Sequence, residues 1–238
     1  MLLWICIVLF VSYICASRSK TKVIKGPPGQ KFFHEMAGRP HLDAQYGKPT
    51  VTNSDIIPEL RFLLSELVKT CKCDFVLMYG GLIGWYFNGH LLPWDDDIDV
   101  IILQNGIKQF VKYDGMETSR WIIKVNPNYK NRNCNDVHNK IDARIISKQM
   151  GVFIDITFFW EDGSGYFKAK DGNVFRRNHI LPLKRTLFEG QPVCVPKEVE
   201  KVLIHKYGSN VVQPSLVNKN WMFVDNVWKK FTRDRWTS

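Results

Sequence analysis

Asp95, Asp96, Asp97 and Asp99 put four carboxylates into five residues, between Pro93-Trp94 and the apolar run Val100-Ile101-Ile102-Leu103. An acidic patch on a solvated surface needs no account. Beside an apolar, β-branched run it does, because residues 100–103 predict a buried strand. Alternate side chains of an extended chain share a face, so a strand over 94–103 points Asp95, Asp97 and Asp99 the same way. Three carboxylates held that close repel one another unless a cation sits among them. Hard oxygen ligands of this kind suit Mg²⁺ or Mn²⁺.

The elements before the acids bear on what such a metal would serve. Phe75-Val76-Leu77-Met78-Tyr79 reads as a strand, Gly80-Gly81 as a turn, and Leu82-Ile83-Gly84-Trp85-Tyr86-Phe87 as a short helix. That order lets backbone N–H groups at Gly80 and Gly81 approach a phosphate. Glycine pair and acidic strand together have the arrangement of a metal-dependent nucleotidyl-transfer site.

A second set of chemical residues lies downstream. Ile141–Ile146 and Gly151–Phe159 predict two further strands, plausibly adjacent, and Asp155 is an acid inside the second. Burying an unpaired carboxylate costs several kcal/mol or forces protonation. Asp155 therefore needs a partner: Arg144 in a structural ion pair, or the metal that the aspartate strand already implies, which is the favoured reading. Asp97, Asp99 and Asp155 are the catalytic candidates. Lys140 and Arg144 can hold a diphosphate, Lys as a point charge and Arg by its planar fork. His138 ranks low, being a lone histidine. The pairs Arg176-Arg177 and Lys184-Arg185 read as solvated surface. Trp85 and Trp94 bracket the acids and suit either stacking on a base or core packing.

The rest of the chain supplies a scaffold of ordinary size. Its 238 residues, 45% apolar and 13% aromatic, suffice for one large globular domain. A helix is predicted from a Ser54 cap through Lys69, with Ile56, Ile57, Leu60, Leu63, Leu64, Leu67 and Val68 on one face. Asn88-Gly89 marks a turn. Helix and loop are expected over 104–120, a strand at Trp121–Val125, and a polar loop over 126–139. Beyond 160 the pattern predicts loops and a helix at 197–207 that ends at Gly208.

A formal net charge of +10 around an acidic cluster suggests an anionic substrate or surface. No zinc-finger or RNA-recognition signature and no basic helix is present, so nucleic acid is not expected. Residues 2–16 form an apolar run ending at Ala16-Ser17, shorter than the roughly 20 residues a spanning helix needs. Residues 1–17 thus read as a signal peptide or short membrane anchor, 18–30 as a basic Gly/Pro linker, and 31–238 as the domain. Lys31–Asp43 reads as an arm packed on it. Arg18, Lys20 and Lys22 follow the apolar run where a signal peptide has its charges before it. Entry to the secretory pathway is still favoured, and membrane association through 1–17 stays open.

Four cysteines follow the leader: Cys71, Cys73, Cys134 and Cys194. An oxidising compartment would pair Cys71 or Cys73 with Cys134, since a Cys71–Cys73 bridge closes a very tight loop. Their spacing does not suit zinc. There is no Asn-x-Ser/Thr acceptor for N-glycosylation.

Tyr79–Gly89 followed by Pro93–Val100 resembles the hallmark of the LicD/fukutin family. Within it the chain is most similar to the fungal branch linked to mannosylphosphate transfer onto cell-wall mannans. Lys31–Glu35, Val125–Tyr129, Asn139–Arg144 and Gly151–Thr157 carry that likeness further. So do Leu181-Pro182-Leu183, Phe188-Glu189-Gly190 and Lys206-Tyr207-Gly208, so that it covers roughly 31–230. The resemblance implies an α/β nucleotidyltransferase fold with a mixed sheet and packed helices. It implies transfer of a sugar phosphate from a nucleotide diphosphate donor to a glycan acceptor, in the secretory pathway and with the Golgi as the favoured compartment. GDP-mannose is the favoured donor, with a CDP-alcohol as the alternative, and an inactive accessory partner of a glycosyltransferase as the second. It draws the metal ligands from Asp95, Asp97 and Asp99, with Asp155 the further carboxylate. Two positions depart from the family: Gly81, where Thr is frequent, and Ile145, where Trp follows Asp-Ala-Arg.

Overall fold

The computed structural model describes residues 53–136, 139–213, 217–218 and 221–230. The leader, the linker, the arm and His138 lie outside the described residues. Helix α1 spans Asn53–Thr70. Leu60, Leu63, Leu64 and Leu67 recur at helical spacing and are all fully buried. Pro58 lies inside α1, beyond the first-turn positions where a missing N–H costs nothing.

Strand β1 (Val76–Leu77) leads into helix α2 (Tyr79–Asn88), which is followed by β2 (Asp97–Leu103) and helix α3 (Gln104–Phe110). Then come β3 (Trp121–Val125), β4 (Ala143–Ser147) and β5 (Phe153–Glu161). A hairpin, β6 (Tyr166–Lys168) and β7 (Val174–Arg176), precedes the short helix α4 (Arg177–Ile180). Strands β8 (Lys184–Phe188) and β9 (Gln191–Val195) precede helix α5 (Val199–Tyr207). The main sheet runs β3-β4-β5-β2-β1-β9-β8, with β6 and β7 extending it from β5. It is mixed: β2 is parallel to β5 and β1 to β9, and the other pairs are antiparallel. Helix α1 packs across β4, β5 and β9. Phe153 through Phe159 are buried without a break, as a strand covered on both faces requires. A separate sheet holds β10 (Val217–Asn218), β11 (Trp221–Val224) and β12 (Val227–Lys230).

Several sequence expectations need correction. The acidic strand begins at Asp97, not at 94, because Pro93-Trp94 form a turn closed by the Asp95 N–H on the Leu92 carbonyl at 3.1 Å. Proline has no N–H to give a central ladder. Gly80-Gly81 is not a turn but the start of α2. Residues 160–198, expected as loops, hold β6 to β9 and α4. The last predicted helix begins at Val199 and ends before Gly208, whose φ is +85°. All four described cysteines are free, so the expected bridge to Cys134 is absent among the described residues. Burial pushes the Cys71 thiol up to about 12, which keeps it a core side chain and not a nucleophile.

The glycines of α2 differ in what they permit. A Cβ on Gly84 would lie 2.3 Å from the His90 backbone oxygen, so the return segment crosses α2 against bare backbone. Gly84→Ala is expected to cost about 1–3 kcal/mol in chemical denaturation. A Cβ on Gly81 would meet the Asp99 oxygen at 3.4 Å and Leu77 Cδ2 at 3.5 Å, ordinary contacts. Gly81→Ala should therefore hold or gain stability, by up to about 1 kcal/mol from helix propensity.

Candidate active site

Strand register brings the acids together. Asp97 and Asp99 are two residues apart on β2 and so share a face. On parallel β5, Asp155 stands opposite Asp99, and on antiparallel β4, Arg144 stands opposite Asp155. The sheet thus sets Asp99, Asp155 and Arg144 in one row across three strands, with Asp97 beside it. Carboxylate oxygens of Asp97, Asp99 and Asp155 all lie within 4.8 Å of one another. Asp97 and Asp99 are half-buried and Asp155 is 3% exposed.

Electrostatics show what this crowding does. Burial, then the neighbouring charges of Asp155, Asp95 and Asp96, push the Asp97 carboxyl up to about 8. Burial also raises Asp155, against the opposing pull of Arg144. The Arg144 side chain is fully buried and forms a bidentate pair, Nε to Oδ1 at 2.5 Å and a terminal nitrogen to Oδ2 at 3.1 Å. Its guanidinium also lies 4.1 Å from the centre of the Phe153 ring. The arginine expected to grip a diphosphate is therefore buried beside Asp155, supporting the carboxylate, and does not line the pocket.

Asp95 occupies the turn before β2, outside the three-carboxylate cluster. Its Oδ2 would be 2.6 Å from a Cβ on Gly80, so the glycine lets the start of α2 and this carboxylate approach. The other feature there is Tyr79, a non-glycine residue at φ +49°, a sparsely populated region for a bulky side chain. Its hydroxyl donates to Asp171 at 2.8 Å, and the Asn173 amide donates to the same hydroxyl at 3.4 Å.

These groups line a pocket of about 320 Å³, together with Lys140, Thr157, Lys206 and Tyr207. The Lys140 ammonium donates to the backbone carbonyls of Cys134 and Lys170. Behind it, Asp142 is fully buried between Arg132 at 2.9 Å and Lys170 at 3.0 Å, and accepts from the Phe158 N–H at 2.7 Å. Lys170 also donates to Asn139, which accepts from Asn126. This buried network ties the polar 126–139 loop to β5. The two tryptophans point to packing: Trp85 donates to Thr186 at 3.1 Å, and Trp94 rests on Trp228 and Trp221 at 4.8 and 5.9 Å.

A larger cavity, about 600 Å³, lies at the other end of β2 beside Leu103, Gln104 and Pro182, with no comparable set of carboxylates. Size alone does not make it the site. The clustered carboxylates are at the 320 Å³ pocket.

The family model for the LicD/FKTN/FKRP nucleotidyltransferase domain matches residues 72–198, more than half of the chain. The chain belongs to this LicD family. No curated protein matches it. The matched stretch of the LicD domain contains the three clustered acids, Asp95, Gly80, Gly81, Lys140 and Arg144. The family is generally phosphotransferase-like, and the mixed α/β sheet with packed helices fits it. Sequence reasoning did not single out Asp171, Lys206 or Tyr207 for the site. Only the Lys206-Tyr207-Gly208 likeness marked the last two, and they lie past the matched stretch.

Proposed function

We propose that this LicD protein transfers a sugar phosphate from a nucleotide diphosphate donor to a glycan hydroxyl, on a nucleotidyltransferase-type fold. The observation that carries this reading is the convergence of Asp97, Asp99 and Asp155 on one pocket from paired parallel strands. The donor set fits Mg²⁺ or Mn²⁺: three carboxylate oxygens cluster, with one carboxyl driven up by burial and by its like-charged neighbours. Such an ion, when bound, supplies positive charge that offsets the charge on the diphosphate. Asp97, Asp99 and Asp155 would hold it, with Asp95 at the rim.

The remaining work falls to the chain itself. Arg144 holds both oxygens of Asp155, which positions that carboxylate as a ligand. The half-buried Asp97 and Asp99 face the pocket, and one of them takes the proton of the acceptor hydroxyl. Lys140 offers a point charge to the phosphates. The hydroxyl oxygen bonds to the distal phosphorus as the anhydride P–O bond breaks, leaving a phosphodiester and releasing a nucleoside monophosphate. Positioning and charge supply most of the acceleration in reactions of this type.

Mannose phosphate from GDP-mannose is the favoured cargo, on the likeness to the fungal mannosylphosphate branch. The apolar run at 2–16 supports a place in the secretory pathway, with the Golgi favoured for that chemistry. The test is turnover of GDP-mannose, CDP-choline and CDP-ribitol with Mn²⁺ and with chelator, read as nucleoside monophosphate released. Metal-dependent release from GDP-mannose supports the reading, and release from a CDP donor alone reassigns the substrate to a phospho-alcohol. No release from any donor by folded protein favours an accessory partner of a glycosyltransferase.

A further inference from the structure

The cations around the pocket are not equally committed. Arg144 is paired with Asp155, Lys170 and Arg132 with Asp142, and Lys140 with two backbone carbonyls. Lys206 is less committed than any of these. Like Lys140 it lines the acidic pocket and forms no carboxylate ion pair among the described residues, but Lys140 is buried and bonded to two carbonyls whereas Lys206 is half-buried and bonded to one side-chain amide. Its ammonium donates to a neutral acceptor, Asn173 Oδ1, at 3.0 Å, and stands 5.0 Å from the centre of the Tyr79 ring. An ammonium has three donors, so a single uncharged amide leaves most of its donor capacity for a ligand.

The neighbours hold Lys206 in that position. Asp171 accepts from the Asn173 backbone N–H at 2.9 Å, from its side-chain amide and from the Tyr79 hydroxyl. Lys206 itself belongs to the last turn of α5, where a cation is favoured by the helix dipole. Helix α5 packs against α2, whose first residues border the three acids. We infer that Lys206 is a phosphate-binding residue, an ammonium positioned by Asn173 and Tyr79 to contact the diphosphate of a nucleotide donor. The inference rests on the donor reading above and adds to it a phosphate-binding residue outside the matched family stretch.

A lysine that only braced α5 and one that binds phosphate respond differently to charge removal. Calorimetric titration of the full chain with Mn²⁺, and then of the Mn²⁺-loaded chain with pyrophosphate, GDP and guanosine, separates them. Lys206→Met is expected to weaken pyrophosphate and GDP by roughly 10-fold or more. Mn²⁺ binding should be held or tightened, since a like charge has left the acidic pocket. Lys206→Arg should recover most of the phosphate affinity. Equal pyrophosphate and GDP affinity in wild type and Lys206→Met would overturn the inference and leave the donor reading standing. Parallel loss of Mn²⁺ and pyrophosphate binding would assign Lys206 a bracing role and overturn it too. A folded, Mn²⁺-loaded wild type that binds neither pyrophosphate nor GDP would remove the donor reading and the inference together.

Discussion

Asp97→Asn is expected to weaken Mn²⁺ binding by more than about 100-fold, beyond the loss typical of a residue that only supports a ligand. Nucleoside monophosphate release should fall to background. The fold should survive, because the half-buried Asp97 sits in mutual repulsion with Asp155, Asp95 and Asp96. The pH dependence has a definite sign. The folded-state value of about 8 lies above the ordinary 3.8. Between those values the native chain keeps a proton that the unfolded chain has lost. Stability from this group is therefore fully present at low pH and is lost as pH rises towards 8. Asparagine does not titrate, so the metal-free variant should lack this slope and exceed wild type in stability near pH 8. Mn²⁺ competes with the same proton, so wild-type affinity should tighten with pH up to about 8 and binding should release protons. Thermal unfolding and titration at pH 6 and pH 8.5 check both trends.

Arg144→Met should produce the largest loss of stability, about 3–5 kcal/mol, the cost of leaving a buried charge without its partner. Arg144 has no exposure and Asp155 only 3%. Burial already raises the Asp155 carboxyl, and Arg144 is the group that pulls it down. Without the guanidinium the carboxyl rises further, so the native variant holds a proton that the unfolded chain releases. The loss should therefore be smaller at pH 5 than at pH 8. Arg144→Met combined with Asp155→Asn should regain much of the stability while leaving Mn²⁺ binding impaired. Urea denaturation of the single and double variants measures the coupling. A cost below about 1 kcal/mol for Arg144→Met would show that the pair is not what keeps Asp155 charged in the core.

Much of the site was legible where periodicity and burial spoke together. The leucine spacing of α1, the apolar runs of β2 and β5, and an acid inside the latter each require little beyond local pattern. Arg144 was legible only as a choice between ion pair and diphosphate ligand, because the strand register that sets it opposite Asp155 is not written in the local pattern. The glycine pair was harder. Glycine usually signals a turn, but at Gly80 the cause is a carboxylate fifteen positions along the chain, which local sequence does not reveal. Strands β8 and β9 hid for physical reasons as well. Lys184, Arg185 and Leu187 are exposed on an edge strand, and Pro192 interrupts the pattern of its neighbour. Lys206 and Asp171 reach the pocket through tertiary packing alone.

The central claim is that Asp97, Asp99 and Asp155 form a divalent-metal site, and Mn²⁺ electron paramagnetic resonance tests it most directly. Titration of the full chain at pH 8 should remove the free-ion signal saturably. Asp97→Asn and Asp155→Asn, each shown to be folded by circular dichroism, should leave that signal unquenched. A folded wild type that leaves the Mn²⁺ signal free, or an Asp97→Asn variant that binds as tightly as wild type, would contradict the account.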